Sequence, residues 1–452
     1  MTLNSLKKSV LSMCLSIAFV GSVGYVPVVA NADVVETPAQ RVIDDMGIGI
    51  NLGNTLDAYG DWIDQYGDGT PNAYETAWGN PTTTQEIIQG YADEGFGTLR
   101  IPVAWSNMME DDGTYTINSD YMDRVTQVVD WAMDTGMYVI INIHNDGGWI
   151  DDLPNDHAIL KRYQTMWEQI SDHFKDYNDH LIFESQNEEL GWSSLWNRWS
   201  GTDDGKAQSY SLVNEVNQTF VDIIRSSGGN NDDRLLLISG YNTDVELTCD
   251  PLFQMPEDIA NMCAVSVHYY TPFDFAGLEE DADWAKARST WGTDEDFKEL
   301  TNNMDLMKST FVDSGIPVII GEYGCPENNK ELSSVRLFLS SVCEFARERD
   351  MCPVLWDGNN HHYDRTTYTM KDTVLKDSLL AIRDKYSKTS EVSKGDINLD
   401  GKFNTMDILV MKKHLLGIET LSDEQKTRAD YNLDGKIDVL DLCLMKRQLL
   451  NA

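Results

Sequence analysis

The stretch "LIFESQNEELGW" (181–192) carries Glu184, Glu188 and Glu189 at the end of a strand-like apolar run, and "PVIIGEYG" (317–324) ends another such run on Glu322. Isolated ionised carboxylates are costly to bury, so apolar strands that stop on them call for a counter-charge or for chemistry. Two carboxyl groups facing each other suit acetal cleavage: one, protonated, helps an oxygen leave, while the other, ionised, attacks or stabilises the anomeric carbon, as glycoside hydrolysis requires. Period-two alternation puts Leu181 and Phe183 on one side of the first run and Ile182, Glu184, Gln186 and Glu188 on the other. Glu188 is then the catalytic candidate and Glu322 its partner. Glu184 lies deeper on the same face, where pairing with Arg100 or a buried hydroxyl gives it a structural role. Glu189 is expected to be a loop carboxylate turned away.

Further polar residues stand at or just past the ends of similar runs: Arg100, His144, Asn187, His268, Tyr270 and Trp356. Arg100 beside Glu322 would hold that carboxylate ionised, and Tyr270 would donate a hydrogen bond to it. His268 would tune the other carboxylate, Asn187 would reach a sugar 2-hydroxyl, and Trp356 would offer a floor on which a sugar ring stacks.

These residues need elements to converge them. Strands are expected at 47–53, 98–103, 138–144, 181–187, 235–241, 264–270, 317–323 and 353–356, with amphipathic helical stretches between, such as 122–136 and 207–229. Near-continuous apolar strands alternating with helices mean a parallel sheet covered on both faces. Eight such units favour a (β/α)8 barrel, an α/β fold whose strand C-termini gather the site. No glycine-rich phosphate fingerprint follows the first strand, which disfavours a dinucleotide-binding sheet. No lysine stands at a strand end for Schiff-base chemistry.

The chain has 452 residues, 41% of them in the apolar class, and a formal net charge of −39. That charge excludes nucleic acid and acidic membrane surfaces as partners. Twelve tryptophans and nineteen tyrosines supply flat stacking surfaces; Trp62, Trp78, Trp149, Trp192 and Trp291 fall in or near βα loops, as sugar platforms or as packing residues. Residues 1–32 have the pattern of a Sec signal peptide: Lys7 and Lys8, an apolar run, then Ala30-Asn31-Ala32. Six cysteines follow it without metal-ligand spacing, and fifteen pairings are open to them.

"GINLGNTLDA", "ETAWGNP", "RIPVAW", "NIH", the Asn187-Glu188 pair, "VHYYTPFDF", "IGEYG" and "LW" together resemble glycoside hydrolase family 5, nearest to its subfamily 4 of endo-β-1,4-glucanases. The resemblance implies a retaining mechanism with Glu188 as acid/base and Glu322 as nucleophile. It also implies supporting or substrate-binding roles for Arg100, His144, Asn187, His268, Tyr270 and Trp356. Asn145 stands where many relatives carry a second histidine, and Glu189 where the family usually has proline; both bear on subsite contacts, and Asn145 joins the substrate-binding candidates. β-1,4-Glucan backbones (cellulose, mixed-linkage glucan or xyloglucan) are the implied substrates, with xylan or mannan as the alternative, and no cofactor is implied for catalysis.

After a polar stretch, "SKTSEVSKG", the sequence "DINLDGKFNTMD" (396–407) is answered by "DYNLDGKIDVLD" (430–441), each followed by a helix-like run. Both follow the grammar of a calcium loop: oxygen donors at positions 1, 3 and 5, glycine at 6, a main-chain carbonyl at 7 and a carboxylate at 12. The candidate ligands are Asp396, Asn398, Asp400, Lys402 and Asp407 for one Ca2+, and Asp430, Asn432, Asp434, Lys436 and Asp441 for a second. The segment resembles a type I-like dockerin, which implies docking onto a cohesin module of a scaffold protein through Thr405-Met406 and Val439-Leu440. The expected organisation is a signal peptide at 1–32, a catalytic barrel at 33–386, a linker at 387–394 and a dockerin at 395–452. The leading expectation is thus a secreted endoglucanase tethered to a cellulosome. A non-catalytic carbohydrate-binding barrel and a calcium-dependent scaffold subunit are the alternatives.

Overall fold

The structure is a computed structural model that describes residues 37–144, 146–359, 361–387, 394–399, 403–432 and 435–451. Eight parallel strands close into a barrel in sequence order: β1 (Gly49–Asn51), β2 (Thr98–Ile101), β3 (Tyr138–Asn142), β4 (Leu181–Glu184), β5 (Leu236–Ser239), β6 (Cys263–Tyr269), β7 (Val318–Tyr323) and β8 (Cys352–Leu355), with β1 pairing to both β2 and β8. The (β/α)8 architecture read from the sequence is the one observed. The strands are shorter than their apolar runs, because the residues at the C-terminal ends leave the ladder for loops that line the barrel mouth. Helices Gln85–Asp93, Ser119–Asp134, Ile159–Phe174, Lys206–Ser226, Asp294–Thr310, Leu332–Arg347 and Thr373–Tyr386 follow individual strands, whereas β5 is followed only by the short helix Val245–Thr248.

Alternation along the strands divides the core. Leu99, Ile101, Val139, Ile141, Leu181, Phe183, Val265 and Val267 pack outward into the helical layer. Ile140, Ile182, Leu237, Ala264, Ile319 and Val354 fill the barrel interior. The helix Pro38–Met46 closes that interior from the N-terminal end. Pro38 presets its first turn, Thr37 Oγ1 accepts from Gln40 N at 3.2 Å, and Ala39, Ile43 and Met46 lie on one face and join the interior cluster. Truncating a buried aromatic such as Phe183 would cost about 3–5 kcal/mol.

Above this apolar floor the interior turns polar, with Asn51, Arg100, Asn142, Glu184 and Ser266 buried at the next level. All six cysteines after the N-terminal region are free thiols. Among the described residues no helix is long and apolar enough to cross a membrane.

Among its described residues the C-terminal segment has three helices, Thr405–Leu415, Asp423–Ala429 and Val439–Asn451, around a small core of Ile397, Ile408, Met411, Leu421, Leu442 and Met445. The duplication in the sequence is matched in the bonding. Asp407 Oδ1 accepts from the main-chain N–H groups of Ile397 and Asn398, and Oδ2 from that of Asn404. Asp441 does the same with Tyr431, Asn432 and Asp438.

Candidate active site

Arg100 is the hub of the barrel mouth. It is completely buried on β2, and its guanidinium donates in four directions: Nε to Glu184 Oε2 at 2.7 Å, Nη1 to Asn51 Oδ1 at 3.0 Å and Glu322 Oε1 at 2.8 Å, and Nη2 to Asn187 Oδ1 at 3.0 Å. Glu184 also accepts from Ser266 Oγ at 2.8 Å and Asn142 Nδ2 at 3.0 Å. It therefore has both partners expected of it, the arginine and a buried hydroxyl, in a structural role. Its position fixes Arg100, which in turn fixes Glu322.

The inward aim of Glu322 does not follow from alternation. Ile319 points into the barrel, so strict period-two geometry would turn Glu322 outward. The pairing of β7 shifts register against β6 at Val267/His268 and against β8 between Ile320 and Tyr323, and that irregularity rotates Glu322 into the mouth. There its second oxygen accepts from Tyr270 Oη at 2.9 Å. On β4 the ladder stops at Glu184, and Asn187 and Glu188 reach the site from the following loop, Asn187 against the parity of the strand.

Glu188, His268 and Glu322 bring one ligand atom each within 4.8 Å of one another. His268 Nδ1 donates to Glu188 Oε1 at 2.7 Å and lies 3.7 Å from Glu322 Oε2. Burial alone would depress the imidazole, but Glu322 and Glu188 outweigh it and raise its pKa above the ordinary value. Burial likewise favours the neutral form of both carboxyls. It lifts Glu322 above the usual range against the pull of His268 and Arg100, while the His268 hydrogen bond brings Glu188 below it. With His268 charged, two cations (Arg100, His268) face three carboxylates (Glu184, Glu188, Glu322), and the group exchanges its protons as a unit. Geometry separates the roles open to the two glutamates. Both oxygens of Glu322 already accept from donors, whereas the side chain of Glu188 is 48% exposed toward the cavity.

His144 is buried, with its ring parallel to that of Trp356 at 5.9 Å and 7°. Burial, then Arg100 and His268, push it well below its ordinary pKa, so it acts as a neutral imidazole. Trp356 is half-buried. Asp57 went unnoticed in the sequence although it lies within the "GNTLDA" motif. It caps the Asn54 and Thr55 amides, approaches His144 Nε2 at 3.9 Å, and is pushed by burial up to about 6. Asn145 lies outside the described residues. Glu189 is a half-buried loop carboxylate that accepts from Gln186 Nε2 at 3.1 Å, with burial raising it to about 7.

An open cavity of about 810 Å³ extends from Glu188 past His268 and Tyr270, with Asn242, Trp199 and Phe273 in its walls. Trp199 and Phe273, together with Trp284 against Phe273, are exposed aromatics that sequence patterning did not single out. Of the tryptophans it did single out, Trp62 is exposed, and Trp78 and Trp149 are intermediate. Trp192 and Trp291 are buried and are packing residues: Trp192 donates to Ile150 O, and Trp291 packs on Phe297 and Phe338.

Residues 56–362 match the family description Cellulase (glycosyl hydrolase family 5), and residues 394–450 match the dockerin type I domain. The chain belongs to glycosyl hydrolase family 5. As a family 5 enzyme of cellulase type, it is 32% identical over 419 residues to Endoglucanase B of Clostridium cellulovorans, with 90% of each sequence covered. Its barrel is similar to a GH5-4 broad specificity endoglucanase from an uncultured bovine rumen ciliate (37% identity, TM-score 0.68, covering 77% of this chain and 98% of that one). It is also similar to a family 5 lichenase from Caldicellulosiruptor sp. F32 solved with cellotetraose (33% identity, TM-score 0.69, covering 78% and 96%). This family 5 endoglucanase carries a dockerin, whose helices expose Thr405, Met406, Val439 and Leu440.

The calcium-loop residues fit a hard cation in their chemistry. The side chains of Asp396, Asn398, Asp430 and Asn432 offer only oxygen or amide donors, Lys436 would contribute its carbonyl, and Gly435 takes φ +81° at the turn. Asp396 also receives Arg428 Nη1 at 2.9 Å, and Asp430 receives Gly435 N at 2.8 Å. Asp400, Lys402 and Asp434 lie outside the described residues.

Proposed function

We propose that this protein is a secreted, retaining endo-β-1,4-glucanase in which Glu188 is the acid/base and Glu322 the nucleophile. The observation that carries the reading is the approach of their oxygens to within 4.8 Å. Retaining glycosidases hold the two carboxyl groups about 5–5.5 Å apart, whereas inverting ones need roughly 6.5–9.5 Å to admit a water between them.

In the first step a Glu322 oxygen attacks the anomeric carbon, the C1–O bond breaks, and its electron pair leaves on the glycosidic oxygen, which takes the proton of Glu188. Arg100 and Tyr270 orient Glu322 and compensate its charge, and His268 passes to Glu188 the proton that the two share. In the second step Glu188 accepts a proton from water. The resulting hydroxide equivalent attacks C1, the glycosyl ester breaks, and both carboxyls return to their starting states. Two inversions give net retention. Asn187, held by Arg100, faces the 2-hydroxyl, and Trp356 carries the ring. The departing chain leaves on the Glu188 side, along the cavity with Trp199 and Phe273.

The similarity to a broad specificity endoglucanase and to a lichenase supports β-glucan as substrate: cellulose, mixed-linkage glucan or xyloglucan, with xylan or mannan as the alternative. We further read residues 1–32 as a Sec signal, 33–386 as the catalytic domain, 387–394 as linker and 395–452 as a dockerin. That dockerin would hold two Ca2+ and bind a cohesin through Thr405-Met406 or Val439-Leu440, which places the enzyme outside the cell on a cellulosome scaffold. Calcium would tie each loop together by coordination, and the chain's own Asp407 and Asp441 already gather the main-chain amides of those loops.

The deciding experiment measures new reducing ends from carboxymethylcellulose, mixed-linkage glucan, xyloglucan, xylan and mannan for wild type, Glu188→Gln and Glu322→Gln. The anomeric configuration of the first product is followed by NMR. Cleavage by wild type with β product, abolished in both variants while they stay folded, is expected. An α product, full activity in either variant, or no cleavage by wild type would overturn the assignment, the last in favour of a binding barrel.

A further inference from the structure

Past Asn187 the main chain that carries Glu188 leaves the sheet. Before that point it is tied to the barrel: Ser185 N donates to Leu237 O at 2.9 Å, Gln186 N to Ser239 Oγ at 2.9 Å, and Asn187 N to Ile143 O at 3.0 Å. Beyond it, Trp192 anchors through Nε1 to Ile150 O at 3.1 Å. In between, the carbonyls of Glu188, Leu190 and Gly191 each accept a bond, and among the described hydrogen bonds all three come from one residue. Asn242 donates its main-chain N–H to Leu190 O at 2.6 Å and its Nδ2 to Glu188 O at 2.9 Å and Gly191 O at 3.3 Å.

Asn242 stands just past β5 in the left-handed region, at φ +46° and ψ 25°, with Thr243 also at positive φ, +49°. Only glycine, asparagine and aspartate take that conformation readily. Glycine has no amide, and aspartate would turn acceptors toward carbonyl oxygens. The loop seats closely on this residue: Gly191 adopts φ +148°, and a Cβ there would collide with the Asn242 side chain and the Tyr241 ring. Among the described residues the Glu188 carboxyl has His268 as its one hydrogen-bond partner, and it is half-exposed, so its position in the cavity depends on where its main chain is held.

We propose that Asn242 is a positioning residue for Glu188: by bonding three loop carbonyls it sets the acid/base against the departing glycosidic oxygen. The proposal rests on the reading of Glu188 as acid/base. Proton donation in such reactions is worth about 10²–10⁴ in rate, and a small misplacement forfeits part of it. The loss should then depend on how much the leaving group needs a proton, a signature that loss of fold or of substrate affinity does not produce.

The test compares kcat/KM for wild type, Asn242→Gly, Asn242→Asp and Glu188→Ala on cellotetraose and on 2,4-dinitrophenyl β-cellobioside, whose phenolate departs unprotonated. Glycine keeps the backbone conformation and removes the amide, and aspartate keeps the size and reverses the hydrogen-bonding sense. Thermal unfolding checks both. Expected is a fall of about tenfold on cellotetraose in both Asn242 variants, carried by kcat with KM little changed, and a much smaller fall on the dinitrophenyl substrate. Equal losses on both substrates, a loss confined to KM, or no loss in the glycine variant would overturn the proposal. If Glu188→Ala itself shows no leaving-group dependence, the acid/base reading fails instead, whatever the Asn242 variants do.

Discussion

Replacing Arg100 by methionine tests the electrostatic frame of the site. The methionine roughly fills the aliphatic volume but removes every donor. Among the described hydrogen bonds, fully buried Glu184 keeps those from Asn142 and Ser266, and Glu322 keeps that from Tyr270. Removing one member of a buried ion-pair cluster costs about 3–5 kcal/mol, because the remaining charge is left uncompensated. Here two carboxylates share the lost cation, which puts the expected loss at pH 7 at the upper end of that range. The sign of its pH dependence follows from linkage. Without the arginine, Glu322, which burial already raises, is raised further, so the folded variant binds a proton at pH values where unfolded glutamates, at about 4.3, do not. Extra proton binding by the folded state means that stability falls as pH rises, so the deficit relative to wild type should shrink between neutrality and about pH 5. Urea unfolding of wild type, Arg100→Met and Arg100→Met/Glu184→Gln at pH 7 and pH 5.5 measures it. The double variant, which removes a charge of each sign, should recover part of the loss. A single variant within about 1 kcal/mol of wild type, a deficit that does not change with pH, or a double variant no more stable than the single would refute the reasoning.

His268→Gln removes the group that shares its proton with Glu188. In wild type the active form loses that proton as pH rises through the raised imidazole pKa. In the variant it is lost from Glu188 itself, so the alkaline limb of kcat/KM should move to lower pH, and an unmoved or higher limb would contradict the shared proton. Trp356→Ala should lower kcat/KM by about tenfold or more through loss of a stacking face, a loss of roughly 1.4 kcal/mol or more, with little change in the alkaline limb, as read on cellotetraose. Calorimetric titration of the chelated protein should find two Ca2+, and a chelator should lower the unfolding temperature of the C-terminal domain while hydrolysis of soluble glucan persists. Asp396→Ala and Asp430→Ala should each remove one ion, and an unchanged stoichiometry in either would displace that loop from the assignment.

Some of this was readable without a structure because it rests on local periodicity and on residue type. Eight apolar runs separated by amphipathic helices point to a parallel sheet covered on both faces, and their number favours closing that sheet into a barrel. Alternation along β4 aimed Glu184 and Glu188 inward, and the doubled "NLDG" loops announced themselves by repetition. Other features depend on contacts between distant segments. The turn of Glu322 into the mouth comes from a register shift of β7 against both neighbours, and strict alternation would have pointed it the other way. Asn187 enters because the ladder ends three residues earlier. Trp192 and Trp291 could not be told from Trp199 by sequence, because exposure of a loop aromatic is decided by what the rest of the loop packs upon. Asn242 sits 54 positions from Glu188 and meets it only because β4 and β5 are adjacent strands. Residue types and their spacing fixed which groups could do chemistry; the barrel's pairing register and loop packing decided which of them meet, because only tertiary contacts bring residues from six strands to one opening.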